Sequence, residues 1–411
     1  MSLGSNNPLW AVIAYALAIT TSALLLRYFP RIRGSLEHVG ENRFSSVDGL
    51  RGYLAFGVFI HHVAITWVYL HTGEINVPPS NFYTQIGLAS VALFFMITGF
   101  LFWGRLLKHG RHHDWLAFAV SRVFRLYPLY LPLLALVIFS VLYIQDWELK
   151  DSPGEVVRQV LAWLVFDRPD INQYPQTGML ISNVTWTLNY EVFFYMALPL
   201  FGAVFLYRKH WIQVVACLIG IYTLYQVIGW EHSLKKHILM SFLGGIAAAY
   251  WVRNPERMAW GQTPKAGWIA LLALAIELLL FRKSFAIFPL MLLTVFFTIV
   301  ASGNTLFGAL RLRSIRWMGE ISYSTYLLHG FVIWLLMQRL PLALPFDTKE
   351  PLVFLTLTAF SSCLLIAVSS LTFLLIEKPG INAGKRFLSW LRRNSPVNGP
   401  VKSASETHNA D

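Results

Sequence analysis

The chain has 411 residues, of which 56% are hydrophobic and only 13% carry a charge, where a soluble domain carries about 25% charged residues. With a mean hydropathy of +0.53 and apolar residues gathered into long runs, this composition excludes an ordinary soluble domain and points to an integral membrane protein. The net charge of +12 does not point to nucleic acid, because the basic residues cluster in loops between apolar runs, as cytoplasmic membrane loops do.

About twenty apolar residues cross a bilayer. By that measure the sequence predicts an all-α, polytopic membrane bundle of about eleven spans. They lie at roughly 9–28, 51–71, 86–104, 126–145, 185–206, 211–229, 236–252, 266–281, 285–302, 318–338 and 352–376. The first run, Leu9 to Leu26, is too long for the apolar part of a signal peptide and lacks a basic start and a cleavage site. It is expected to stay as a helix. Only Arg282-Lys283 separates the eighth span from the ninth.

Charge sets the orientation. Arg27, Arg31, Arg33 and Arg43 follow span one, and Arg105, Lys108, Arg111, Arg122 and Arg125 link spans three and four. Arg208-Lys209, Arg253 with Arg257, Arg311, Arg313 and Arg316, and the tail after Glu377 complete the basic set. An odd span count puts all of them on one side, expected to be the cytoplasm, with the N-terminus outside and the C-terminus inside. The long opposite loop, near 146–184, carries six acidic residues from Asp146 to Asp170. Within it EVVRQVLAWLVF, Glu155 to Phe166, reads as an interfacial helix. The polar stretch from Asn394 to Asp411 reads as disordered. Cys217 and Cys363 both fall in apolar segments and supply neither a disulfide framework nor a metal spacing.

One segment breaks the apolar rule. In RGYLAFGVFIHHVAITW an arginine opens the run and two histidines sit near its middle. Arg51 and His62 are eleven residues apart, three helical turns, so they share a face, and His62 lies about 16 Å further along the axis. Ionisable groups at that depth cost about 2.5–3.5 kcal/mol and usually mark a polar pathway. A histidine that merely bonds a neighbouring backbone is the plainer reading. The matching Arg51, and Asp48 one turn before it, weigh against that.

SVDGLRGYLAFGVFIHH resembles the first helix of the acyltransferase 3 family, membrane enzymes that O-acylate sugars and surface glycans, in which a basic residue precedes a histidine by the spacing of Arg51 and His62. Further similarities follow in the family's order. They are FFMITGFL (Phe94–Leu101, with Thr98 where the family has serine), SRVFRLYP (Ser121–Pro128), NVTWTLNYEVFFYMALP (Asn183–Pro199), ISYSTYLLH (Ile321–His329) and IEKP (Ile376–Pro379). The resemblance covers about residues 44–380. The family core has ten spans, so residues 1–43 are expected to add one helix and a basic link. Residues 381–411 are expected to form a tail, basic and then disordered.

The resemblance implies a cytoplasmic acyl-CoA donor, most often acetyl-CoA, a cell-envelope glycan or glycolipid acceptor, and a bacterial inner membrane. Arg122 and Arg125, three apart on one helix face, are expected to bind the anionic donor, since a guanidinium holds two phosphate oxygens at once. His62 is the candidate chemical residue, as a general base on the acceptor hydroxyl or as a transient acyl carrier. Arg51 is expected to orient the donor and Asp48 to hold Arg51. Glu191 is expected to meet sugar hydroxyls or a cation, or to tie two helices together. His329, at a similar depth to His62, is the second catalytic candidate. Glu377 is expected to pair with an arginine on the basic side. His109, His112, His113 and Asp114 find no convergent ligands elsewhere, and no metal is expected. The rival reading from another class is a transporter or flippase, which also places polar residues at mid-membrane. An inactive scaffold of a polymer-synthesis complex is the third reading, disfavoured by the intact arginines and His62.

Overall fold

The computed structural model describes residues 8–37, 44–206, 235–344 and 346–394, together with positions 215, 219 and 222. Among them the chain is helical and contains no strand. The helices are α1 (Leu9–Tyr28), α2 (Pro30–Glu37), α3 (Ser45–Thr72), α4 (Asn81–His109), α5 (Trp115–Ile144), α6 (Pro153–Leu164) and α7 (Trp186–Leu206). They continue with α8 (Lys236–Trp251), α9 (Pro255–Gly261), α10 (Pro264–Leu280), α11 (Ile287–Ala301) and α12 (Arg313–Glu320). The last three longer ones are α13 (Ser322–Trp334), α14 (Pro351–Thr372) and α15 (Lys378–Arg393), with a single helical turn, Leu340–Ala343, before α14.

Among the described residues six helices are long and apolar enough to cross a membrane, or seven if the pair α9 and α10, bent by 69°, forms one span. The eleven expected spans are therefore not all matched by length. The expected 236–252 and 285–302 appear as the shorter α8 and α11, and the expected 211–229 lies outside the described residues. The last expected span is longer than the sequence suggested. A π-helical turn, Phe373–Glu377, carries α14 straight into the amphipathic α15, so residues 351–393 run as one helix.

Small residues set the helix spacing, as they do inside membranes. A side chain at Gly245 would run into the Met96 backbone, and one at Gly99 would meet the Phe242 carbonyl, so α8 lies directly against α4. Gly104, by contrast, faces open space. α1 presents Ala11, Ala14, Ala18 and Ser22 to the bundle, a one-face stripe that packs on α12 and α14. The Ser22 hydroxyl donates to the Ser314 carbonyl at 2.8 Å, and the Trp10 ring stacks on Tyr83 at 4.4 Å.

The 163–185 segment, expected to lie at the surface, folds back into the bundle. Tyr127 and Tyr130, well inside α5, donate to the carbonyls of Leu164 (2.9 Å) and Trp163 (2.6 Å), and Phe166 packs on both tyrosine rings. Its turns need six non-glycine residues with positive φ, at Phe166, Asn172, Gln173, Gln176, Ser182 and Asn183. Such residues are uncommon and hold only where packing enforces them. Here Asn172 supplies the enforcement. It is fully buried, and its side chain binds Gln145, Glu148, Lys150 and Asp151. The result is a plug that reaches α13, where Gly330 leaves room for the Ile181 backbone.

Candidate active site

The apolar interior divides into two buried clusters, and a cavity of about 480 Å³ opens where they meet. Four arginines line it: Arg51 from α3, Arg105 from the end of α4, and Arg122 and Arg125 from the start of α5. α15 supplies Lys385 at the same end. Arg51 is fixed by a close helix crossing. α12 lies so near α3 that a side chain at Gly319 would strike the Asp48 carbonyl. The Asp48 carboxylate sits in the field of Arg51 and Arg316, and does not line the cavity. Glu320, at the end of α12, faces Arg51 from within the lining.

The four arginines are not equivalent. Arg125 is ion-paired with Glu377, whose side chain is fully buried and also accepts from the Ser324 hydroxyl at 2.7 Å. The pairing expected of Glu377 is therefore present, and its partner is one of the two arginines expected to bind the donor. Arg51, Arg105 and Arg122 have no ion-pair partner among the described residues. Arg122 lies over the Phe102 ring at 4.8 Å and near the Tyr195 ring at 5.9 Å, an arrangement that holds the guanidinium without neutralising it.

Deeper in the cavity Glu191 accepts from the Tyr195 hydroxyl at 2.9 Å and from the Thr98 hydroxyl at 3.2 Å. It lines the same space as the arginines. Tyr323 and Tyr326 complete the wall. Tyr323 donates to the Leu126 carbonyl at 2.6 Å, and Tyr326 bonds Thr187 at 2.8 Å and the Val184 carbonyl at 3.1 Å.

Behind Tyr326 stand the histidines. The Tyr326 and His329 rings are 5.8 Å apart, and those of His329 and His62 are 5.1 Å apart. His329 is completely buried, and neither ring nitrogen has a well-aligned hydrogen bond among the described residues, although the Thr325 and Tyr326 backbone approaches the ring. His61 has a different part. Its Nδ1 pairs with the Tyr83 carbonyl at 2.7 Å and its ring lies against Gly87, so it ties α3 to α4. His62 is only partly buried and opens on its far side into a second cavity of about 110 Å³.

The structure thus brings Arg51, Arg122, Arg125 and Glu191 to one cavity, and places His329, with His62 against it, behind the Tyr326 wall and outside the lining. Asp48 stands one turn outside. Arg105 and Glu320 also belong to the lining, and in the sequence nothing sets Arg105 apart from the other loop arginines or marks Glu320. A charge at the end of each apolar helix was the available signal, and it is shared by every loop arginine. Among the described residues no group of three His, Cys, Asp or Glu side chains converges as a metal site would require.

Cations lining a cavity, with two adjoining imidazoles behind its Tyr326 wall, make a polar site inside an apolar helical bundle. Such a site marks the chain as a membrane protein with buried chemistry-bearing groups. The sequence places it more closely. The acyltransferase 3 pattern, described as an acyltransferase domain, matches residues 44–373, most of the chain, and the protein belongs to that family. α1 and α2 lie outside the matched region. No curated protein and no solved structure matches the chain.

Proposed function

We propose that the protein transfers an acyl group, acetyl in the first instance, from acyl-CoA to a hydroxyl of a cell-envelope glycan or glycolipid. The observation that carries this reading is a cavity lined by Arg51, Arg105 and Arg122 whose wall residue Tyr326 stands against His329, which in turn packs on His62. CoA is a polyanion, and three arginines outside any ion pair in the lining supply charge-assisted contacts to its phosphates. The thioester then extends past Tyr326 toward the imidazoles. His62 takes the proton of the acceptor hydroxyl as that oxygen attacks the thioester carbonyl. The C–S bond breaks, and the imidazolium returns the proton to the departing sulfur. An acyl group carried briefly on His62 uses the same geometry in two steps. The second cavity brings the acceptor to the other side of His62. On this reading the arginine end faces the cytoplasm of a bacterial inner membrane, the N-terminus lies outside, and donor and acceptor arrive from opposite faces.

The test is transfer of radiolabel from acetyl-CoA to membrane glycan, in membranes with wild type or His62→Ala at matched expression. Label in wild type alone supports the reading. Equal label in both removes His62 from the chemistry. No label in either, with acetyl-CoA left intact, counts against an acetyl-CoA-dependent enzyme and returns the transporter to consideration.

A further inference from the structure

The cavity beyond His62 has a composition of its own. His62 enters it from α3, Tyr174, Gln176 and Ser182 from the plug, and Trp334 and Gln338 from the end of α13 and the π-helical turn that follows. No Asp, Glu, Lys or Arg lines it. The nearest cation in sequence, Arg339, lies over the Trp334 ring at 5.9 Å and within electrostatic reach of Tyr174, but does not enter the lining. This contrasts with the donor-side cavity, where charged side chains dominate the polar wall.

Size and chemistry limit what fits. At about 10–15 Å³ for each water-sized group, a cavity of about 110 Å³ seats the six atoms of one pyranose ring with part of its substituents and leaves no room for a second residue. Aromatic walls accept the C–H face of a sugar ring, and two amides and a hydroxyl answer its hydroxyls, the usual mixture of apolar body and few polar contacts in a ligand site. A carboxylate or phosphate on that ring would be desolvated with no cation in the lining to pair it, which is strongly unfavourable.

We propose that this cavity is the acceptor subsite and that it takes a single uncharged pyranose, rejecting uronic-acid and phosphorylated residues. The assignment to an acceptor rests on the acyltransferase reading. The selectivity for a neutral ring does not.

Two readouts separate them. Binding of methyl α-glucoside, α-galactoside, α-mannoside and glucuronide to the full chain in lipid nanodiscs is followed by saturation-transfer NMR, and thiol release from acetyl-CoA is measured with each sugar. At least one neutral glycoside is expected to bind ten-fold or more tightly than the glucuronide, and Tyr174→Ala is expected to abolish its signal. Gln338→Lys is expected to raise glucuronide binding relative to the neutral sugar at least ten-fold, a gain that a misfolded protein cannot produce. Equal binding of glucuronide, no binding of any neutral glycoside, or a ratio unmoved by Gln338→Lys overturns the subsite. Selective binding without sugar-dependent thiol release leaves the subsite standing and counts against the acyltransferase reading.

Discussion

Arg122 and Arg125 stand one helical turn apart in the same cavity, yet their surroundings predict opposite consequences of removing them. Arg125→Ala strips the partner from Glu377, which has no exposed side-chain surface. The remaining neutral donor is the Ser324 hydroxyl at 2.7 Å, too little to balance a buried carboxylate. Breaking a buried pair from one side costs about 3–5 kcal/mol. Arg122→Ala loses its ring contacts to Phe102 and Tyr195, worth about 0.5–2 kcal/mol, and leaves no buried charge behind. The assay is equilibrium unfolding in mixed micelles, with acetyl-CoA affinity measured on the same preparations. Arg125→Ala is expected to lose several kcal/mol of stability. Arg125→Met combined with Glu377→Gln is expected to recover most of it, because no unpaired charge remains and the coupling in the cycle is large. Arg122→Ala is expected to unfold near the wild-type midpoint and to lose donor affinity. If Arg125→Ala is as stable as wild type, or if the double variant is no better than the single one, the buried-pair argument fails. Arg125 would then return to the set of donor-binding residues.

Other expectations follow from the same geometry. Removing one charge-assisted phosphate contact costs about 1.5–3 kcal/mol, so Arg51→Met and Arg105→Met should each raise the acetyl-CoA KM roughly 10- to 100-fold, and unchanged KM values would take those residues out of donor binding. His61→Ala should lower stability by about 0.5–1.5 kcal/mol, since it removes the hydrogen bond that joins α3 to the Tyr83 carbonyl of α4, while chemistry in the surviving folded fraction persists; lost turnover at full stability would refute this. Gly330→Ala places a methyl against the Ile181 backbone and should cost about 1–3 kcal/mol by overpacking, with protease cleavage of the 163–185 plug accelerated. Asp114 caps α5 by accepting from the Ala117 N–H at 2.8 Å and pairs with Arg392 of α15. Those contacts, the Ala117 bond first, hold its pKa below the ordinary carboxylate value of 3.8. The contribution is complete above that value and is lost as pH falls through the lower folded value. Asp114→Ala should therefore cost about 1 kcal/mol at neutral pH, Asp114→Asn less, and the difference from wild type should vanish in strong acid.

The one-dimensional pattern carried a good deal of this molecule. Apolar runs of bilayer length announced the helices, because a chain in lipid must satisfy its backbone within each segment. The eleven-residue interval between Arg51 and His62 placed both on one face by helical period alone, and it announced the polar path. What the period does not contain is the neighbour. That His329 stands 5.1 Å from His62 depends on how α13 crosses α3. That Arg125 belongs to Glu377, whereas Arg122 remains unneutralised, depends on α15 lying against α5. Two arginines three residues apart look alike in a sequence and differ only through what a distant helix brings to one of them. The plug was least legible of all. Its amphipathic start resembles a surface helix, and its inward fold is held by Asn172 and by six unusual backbone conformations, none of which leaves a periodic signature. Local spacing is written in the chain because each helix turns by its own geometry. Partnership between helices is decided by packing, and only the folded bundle shows it.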